Sequence, residues 1–282
     1  LHKAIRRQRQ MCIRDRGISG INAVAQILVG DVNPSGSLVD TYCYDNYSAP
    51  AMWNFTPSVY DGYVEGGDVP AKGSTYMIYQ EGIYVGYKYY ETRYEDYVMG
   101  AGNAGDYASG DIVAYPFGYG LSYTDFKFSD MTVNYNDALD VYTVAVKVTN
   151  TGAVAGKRTV QLYVQSPYTD YDKQNGVEKA AVALVGFGKT GELAPGTSEI
   201  VTMNVNKRDI ASYDTYGAGT YILDAGDYYF TAANDAHEAV NNILAAKGYT
   251  VASTNGKMTA DGDADLTYAW TCLLYTSDAA DE

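Results

Sequence analysis

Cysteine is scarce in this 282-residue chain: Cys12, Cys43 and Cys272 are all there is, and only Cys43 lies away from the ends. A lone interior thiol builds no disulfide framework and leaves the redox compartment open. Histidine is rarer, with His2 and His237 alone, so the Cys/His spacings of zinc sites are missing. Basic residues are outnumbered, 20 Lys and Arg against 34 Asp and Glu, for a formal net charge of −14. Such a surface repels phosphate backbones and anionic lipid heads, which argues against nucleic-acid and membrane partners. Neutral, hydroxyl-bearing ligands fit it, and so does plain solubility. No apolar run has the length needed to cross a bilayer as a helix.

Much of the positive charge that is present, Arg6, Arg7, Arg9, Arg14 and Arg16, sits in the first sixteen residues. These read as translated DNA. Back-translating Arg7 to Arg16 gives an oligonucleotide whose reverse complement, in another frame, spells Cys272-Leu273-Leu274-Tyr275-Thr276-Ser277-Asp278-Ala279-Ala280-Asp281, the opposite end of the chain. The string resembles a transposase adapter from sequencing libraries, so residues 1–16 and 272–282 are set aside. A genuine basic arm gripping nucleic acid is the competing reading. Without the ends, 14 basic residues face 30 acidic ones.

The interior suggests two domains. Asn22–Val29 has helical apolar spacing and stops at Gly30, Asn33-Pro34-Ser35-Gly36 makes a turn, and Ser37–Tyr42 reads as a strand. From Asp45 to Gly110 the chain is rich in Gly and Tyr without sustained periodicity and is expected as long loops. From Phe126 the pattern becomes alternating: Val141–Thr149, Thr159–Val164, Ala180–Lys189, Ser198–Val205 and Gly226–Ala232 read as strands, with Pro195-Gly196 as a turn. Short strands without a long helix describe an immunoglobulin-like β-sandwich, and the absence of a Cys, Trp, Cys pattern favours the fibronectin type III kind. After it, Asn234-Asp235 caps a helix from His237 to Gly248, expected to lead outward.

Few residues invite chemistry. Asp40, Glu65, Glu81 and Glu91 are expected as solvated or hydrogen-bonded acids rather than catalysts, and His237 as a surface or capping residue. Tyr115, just before Phe117-Gly118-Tyr119-Gly120, and Tyr119, between its two glycines, serve packing across a domain boundary or, alternatively, sugar stacking. Asp261-Gly262-Asp263-Ala264-Asp265 alternates carboxylates but lacks the glycine and glutamate positions of a calcium loop. Gly188-Lys189-Thr190 lacks the rest of a phosphate loop.

The segments Gly30-Asp31-Val32-Asn33-Pro34-Ser35-Gly36-Ser37-Leu38, Glu81–Tyr90, and Tyr115–Phe126 occur in the order seen in glycoside hydrolase family 3, whose α/β sandwich domain they resemble. Val148–Gly152, Gln161–Val164, Leu184–Lys189 and Leu193–Gly196 then resemble its fibronectin type III-like domain. The resemblance implies a mixed fold, with residues 17–125 closing the α/β domain and 126–232 forming the β-sandwich. It also implies a subset of reversed order, in which 233–271 leads to a (β/α)₈ barrel beyond Thr271. The implied parent is a retaining β-glucosidase-like enzyme acting on terminal β-glycosidic bonds, without cofactor or metal. Its nucleophilic Asp and its acid/base Glu both lie outside this chain, so no catalytic or substrate-binding residue is assigned. The alternative is a non-catalytic carbohydrate-binding or cell-surface module.

Overall fold

The structure, a computed structural model, describes residues 17–55, 58–59 and 75–273. The adapter reading of 1–16 and 274–282, and Glu65, lie outside them. The chain opens with α1 (Gly17–Leu28). The strand expected over Ser37–Tyr42 shrinks to β1 (Tyr42–Cys43), because Leu38 gives its backbone to a distant loop: Gly118 N donates to Leu38 O at 2.9 Å and Leu38 N to Tyr119 O at 2.8 Å. The expected loop region contains the 13-residue helix α2 (Tyr87–Met99). Its inward stripe is Tyr90, Glu91, Tyr94 and Val98, at helical spacing but carried by tyrosines and a carboxylate instead of aliphatics, which hid the periodicity. β2 (Val113–Tyr115) then pairs antiparallel with β1.

The β-sandwich follows from alternation. In β3 (Phe126–Asn136) the inward set switches from Phe126 and Phe128 to Met131 and Val133 across an irregularity between Ser129 and Thr132. In β4 (Val141–Asn150), side chains of opposite parity face opposite sides throughout, and Tyr142, Val144, Val146 and Val148 are all buried. A one-residue slip would send this whole set to solvent, so the register is firmly specified. β5 (Thr159–Gln165) leads through α3 (Asp170–Asn175) to β6 (Ala183–Lys189), β7 (Ser198–Asn206) and β8 (Gly226–Ala233). One sheet runs β3-β4-β7, with Val141 opposite Asn206 and Thr149 opposite Ser198.

The chain does not leave after β8. The segment expected to lead outward forms α4 (Ala236–Ala246), capped by Asp235 accepting from Glu238 N at 2.8 Å, and then β9 (Thr267–Cys272). β9 returns to the edge of the second sheet, giving the order β9-β8-β5-β6. The reason is apolar content: Ala239, Val240, Ile243 and Leu244 are wholly buried, and burial of each of the three larger side chains is worth about 1.5–3 kcal/mol. They cover the back of β8 and β5, whose residues are buried on both faces, so those two strands lack simple alternation. The result is three layers: the three-stranded sheet, the four-stranded sheet, and a helical layer of α4 with α2. Val144, Leu162, Phe230 and their neighbours fill the first interlayer space, and Tyr94, Tyr163, Val240 and Ile243 the second.

Candidate functional site

The motif residues converge on one seam between the N-terminal segments and the sandwich. Asn33 sits at its centre: its amide Nδ2 donates to Ala155 O at 3.0 Å, while its Oδ1 accepts from Ser122 Oγ at 3.0 Å and Tyr123 N at 2.8 Å. One side chain thus ties the turn at 33–36, the loop at 122–123 and the loop after β4. Asn150 repeats the arrangement inside the sandwich, accepting from Thr124 Oγ1 and donating to Val154 O and Leu193 O. Gly118 has φ +92, and a Cβ there would lie 2.2 Å from Gln161 Oε1; at Gly120 it would lie 2.4 Å from Gly36 O. These glycines are dictated by close approach.

The aromatics beside them divide by role. Phe117 stacks on Tyr87 with centroids 4.6 Å apart, and Tyr87 meets Tyr163 edge-on, so this stack crosses from loop to helix to sheet. Tyr115 and Tyr119 tilt against each other at 5.0 Å, with Tyr115 exposed and Tyr119 half-buried.

A second constellation joins α2 to α4. The side chain of Glu91 is 1 % exposed and its Oε2 lies 2.8 Å from His237 Nδ1, so Glu91 is a hydrogen-bonded buried acid. His237, expected as a surface or capping residue, is instead half-buried and paired. Its Nε2 is 2.8 Å from Thr259 Oγ1, and the Tyr94 ring packs on the imidazole with centroids 4.3 Å apart. Tyr94 OH donates to Asn241 Oδ1 at 2.6 Å. Burial opposes protonation of His237, but the charge and hydrogen bond of Glu91, with Asp235 behind, outweigh it and raise its pKa above the ordinary value. The partner lies 146 residues away, a separation that sequence spacing does not reveal.

Catalysis at an anomeric carbon by retention needs two carboxyl groups about 5–5.5 Å apart facing a sugar. Two acids do converge here: Asp172 and Asp224 both bond the Lys179 ammonium, Asp172 at 2.8 Å. All three side chains are buried and the ammonium stands between the acids, so no sugar can enter. This cluster anchors α3 within the connection from β5 to β6. Asp40 is exposed and accepts from Thr41 N, and Glu81 is half-buried with its backbone closing a turn onto Tyr84. Asp261 accepts from Val251 N and Asp263 caps the turn before β9. Lys189 donates to Ser35 O at 2.8 Å across the seam. Among the described residues, no group of three or more His, Cys, Asp or Glu is placed to hold a metal ion, and no helix is long and apolar enough to cross a membrane.

A family model for the fibronectin type III-like domain matches residues 158–236, part of the sandwich and the start of α4. The chain carries a fibronectin type III-like domain. Around it, the chain is 35% identical over 233 residues to a β-glucosidase of Ruminococcus albus, covering 81% of this chain and 20% of the relative. It is 37% identical over 230 residues to β-glucosidase A of Butyrivibrio fibrisolvens, covering 76% and 24%. Among solved structures, β-glucosidase 3B from Thermotoga neapolitana in complex with α-D-glucose superposes on 92% of this chain and 27% of its own, with TM-score 0.61 and 27% identity. A β-glucosidase from Paenibacillus barengoltzii covers 77% and 20%, with TM-score 0.60 and 37% identity. The chain spans about a fifth to a quarter of the length of these relatives.

Proposed function

We propose that this chain is a part of a family 3 glycoside hydrolase that removes terminal β-linked sugars with retention of configuration, and that its own contribution is the scaffold beside the reacting groups. Residues 17–125 close the α/β sandwich domain and 126–232 are the body of the fibronectin type III-like domain, while 233–271, which pack back onto that body as α4 and β9, precede the catalytic barrel in sequence. The observation that carries this reading is the seam at Asn33, where segments that resemble the family in sequence are bonded to one another in space. The β-glucosidase relatives, matched over most of this chain, support the parent activity. Large apolar side chains left exposed on 17–55, among them Leu28, Val39, Trp53 and Phe55, fit a segment that completes a larger domain. The end residues 1–16 and 272–282 are assigned to adapter sequence.

Purified chain is expected to show no turnover of 4-nitrophenyl β-D-glucoside above buffer, whereas the parent polypeptide hydrolyses it. Clear turnover by the chain, or an inactive parent, would overturn the assignment.

A further inference from the structure

One stretch of surface is held more rigidly than a connecting loop needs. Between β7 and β8, Ser212–Asp214 pairs with Thr220–Ile222 as a hairpin, Tyr213 directly opposite Tyr221. Alternation sorts its side chains: Asp214 and Ile222 point in and are wholly buried, Tyr213 and Tyr221 point out. The Asp214 carboxylate fixes the turn by accepting from Gly217 N at 2.8 Å, Ala218 N at 2.7 Å and Tyr171 OH at 2.6 Å. Tyr213 OH donates to Gly219 O at 3.1 Å. A Cβ on Gly217 would lie 2.4 Å from both Asp214 Oδ2 and Tyr171 OH, so the turn has no slack.

What this frame displays is three phenol rings. Tyr213, Tyr216 and Tyr221 are 52%, 81% and 45% exposed, and the Tyr213 and Tyr221 rings meet edge-on at 5.1 Å. We propose that this hairpin is a carbohydrate-contact site that takes the apolar C–H face of a neutral glucan chain. The inference rests on the glycosidase reading above for its choice of ligand.

Three features select that ligand. Rings on a pre-ordered backbone offer large, rigid contact area at low entropic cost, and their hydroxyls meet the rim hydroxyls of a sugar. Beside its rings the hairpin exposes only Thr215, Gly217, Ala218 and Gly219, and its one large aliphatic, Ile222, is buried, so no bulky side chain of the hairpin stands between the rings and a flat ligand face. The acidic chain, at −14, disfavours glycans bearing sulfate or carboxylate.

Native affinity electrophoresis of the whole chain in gels containing soluble mixed-linkage β-glucan tests this directly. The wild-type chain is expected to be retarded relative to a polymer-free gel and not to be retarded by carboxymethylated glucan. Tyr216→Ser, at the most exposed ring, is expected to weaken retardation, and the triple change of Tyr213, Tyr216 and Tyr221 to Ala to abolish it. Tyr→Phe changes at the same positions, which keep the rings, are expected to retain most of it. No retardation of the wild type, or equal retardation of wild type and of the variant Tyr216→Ser with unaltered melting temperature, overturns the proposal. Because the gel reads binding without hydrolysis, retardation by a chain whose parent cleaves no glucoside would leave the hairpin site standing and remove the glycosidase reading, and the converse result would do the reverse.

Discussion

Replacing Glu91 by Gln tests whether the contact between α2 and α4 is an ion pair. Losing one partner of a fully buried pair costs about 3–5 kcal/mol. The His237 side chain keeps 19% of its surface exposed while that of Glu91 keeps 1%, so solvent screens part of the loss and about 2–3 kcal/mol is expected. At roughly 2–4 °C per kcal/mol for a unit of this size, the melting temperature drops by about 4–12 °C. The sign of the pH dependence follows from the raised pKa of His237. A group bound more tightly to its proton in the folded state gives its full stabilisation below its unfolded value, about 6.5, and loses it as pH rises through the higher folded value. The gap between wild type and Glu91→Gln is therefore largest near pH 5.5 and shrinks by pH 8.5. Burial also raises the pKa of Asp235 and Glu238; both residues remain in the variant, and Asp235 stays coupled to His237 there. Calorimetry across that range checks it. A gap that is constant with pH, or below 2 °C throughout, would refute an ionic contact between His237 and Glu91.

Further consequences can be measured. Asn33→Ala removes three hydrogen bonds from the seam, and is expected to cost about 1–3 kcal/mol and to speed proteolytic cleavage between residues 31 and 38. Gly118→Ala combines positive φ with a clash against Gln161, and is expected to destabilise by at least about 1–3 kcal/mol in a denaturant titration. Ile243→Ala opens a cavity in the helical layer, with a loss of about 2–5 kcal/mol, and should expose β8 amides to hydrogen exchange if that layer is integral to the sheet. The Asp214 carboxylate is held below its ordinary pKa by the Tyr171 hydroxyl and by backbone amides. Its contribution is therefore present above the unfolded value and is lost as pH falls through the lower folded one; hairpin amides should lose protection there while Asp214→Asn shows no such acid step.

The outer sheet of the sandwich was legible because β4 and β7 obey one rule. Val141–Thr149 alternates cleanly, since β4 lies in the outer sheet with solvent on its far side, and the observed β4 ends one residue later. Thr159–Val164 reads as one of the alternating strands, yet β5 is buried along nearly its whole length because the helical layer lies behind it. That layer was only half visible. The Asp235 cap and the apolar stripe of α4 announce a helix, but where a helix docks depends on partners far along the chain. α2 was missed because its buried face is built from Tyr90, Glu91 and Tyr94, residues whose polarity conceals helical periodicity until a matching surface from α4 supplies hydrogen bonds. β9 was hidden for a related reason: its residues read as the trailing part of a segment, and only pairing with β8, Tyr228 opposite Trp270, makes them a strand. At the seam, the turn at Asn33 and the glycine-rich loop at Gly118 and Gly120 are legible as local features, but the contacts that demand those residues run to partners far along the chain. Glu91 and His237 were seen separately, and their pairing needed three dimensions.

The central claim is that the reacting acids of the parent lie outside residues 17–273. Incubating the parent polypeptide with a 2-deoxy-2-fluoro-β-glucosyl fluoride, which accumulates the covalent glycosyl-enzyme, and mapping the modified peptide by mass spectrometry measures this directly. The account predicts a label on an aspartate beyond this chain, and a label on any Asp or Glu within residues 17–273 would contradict it.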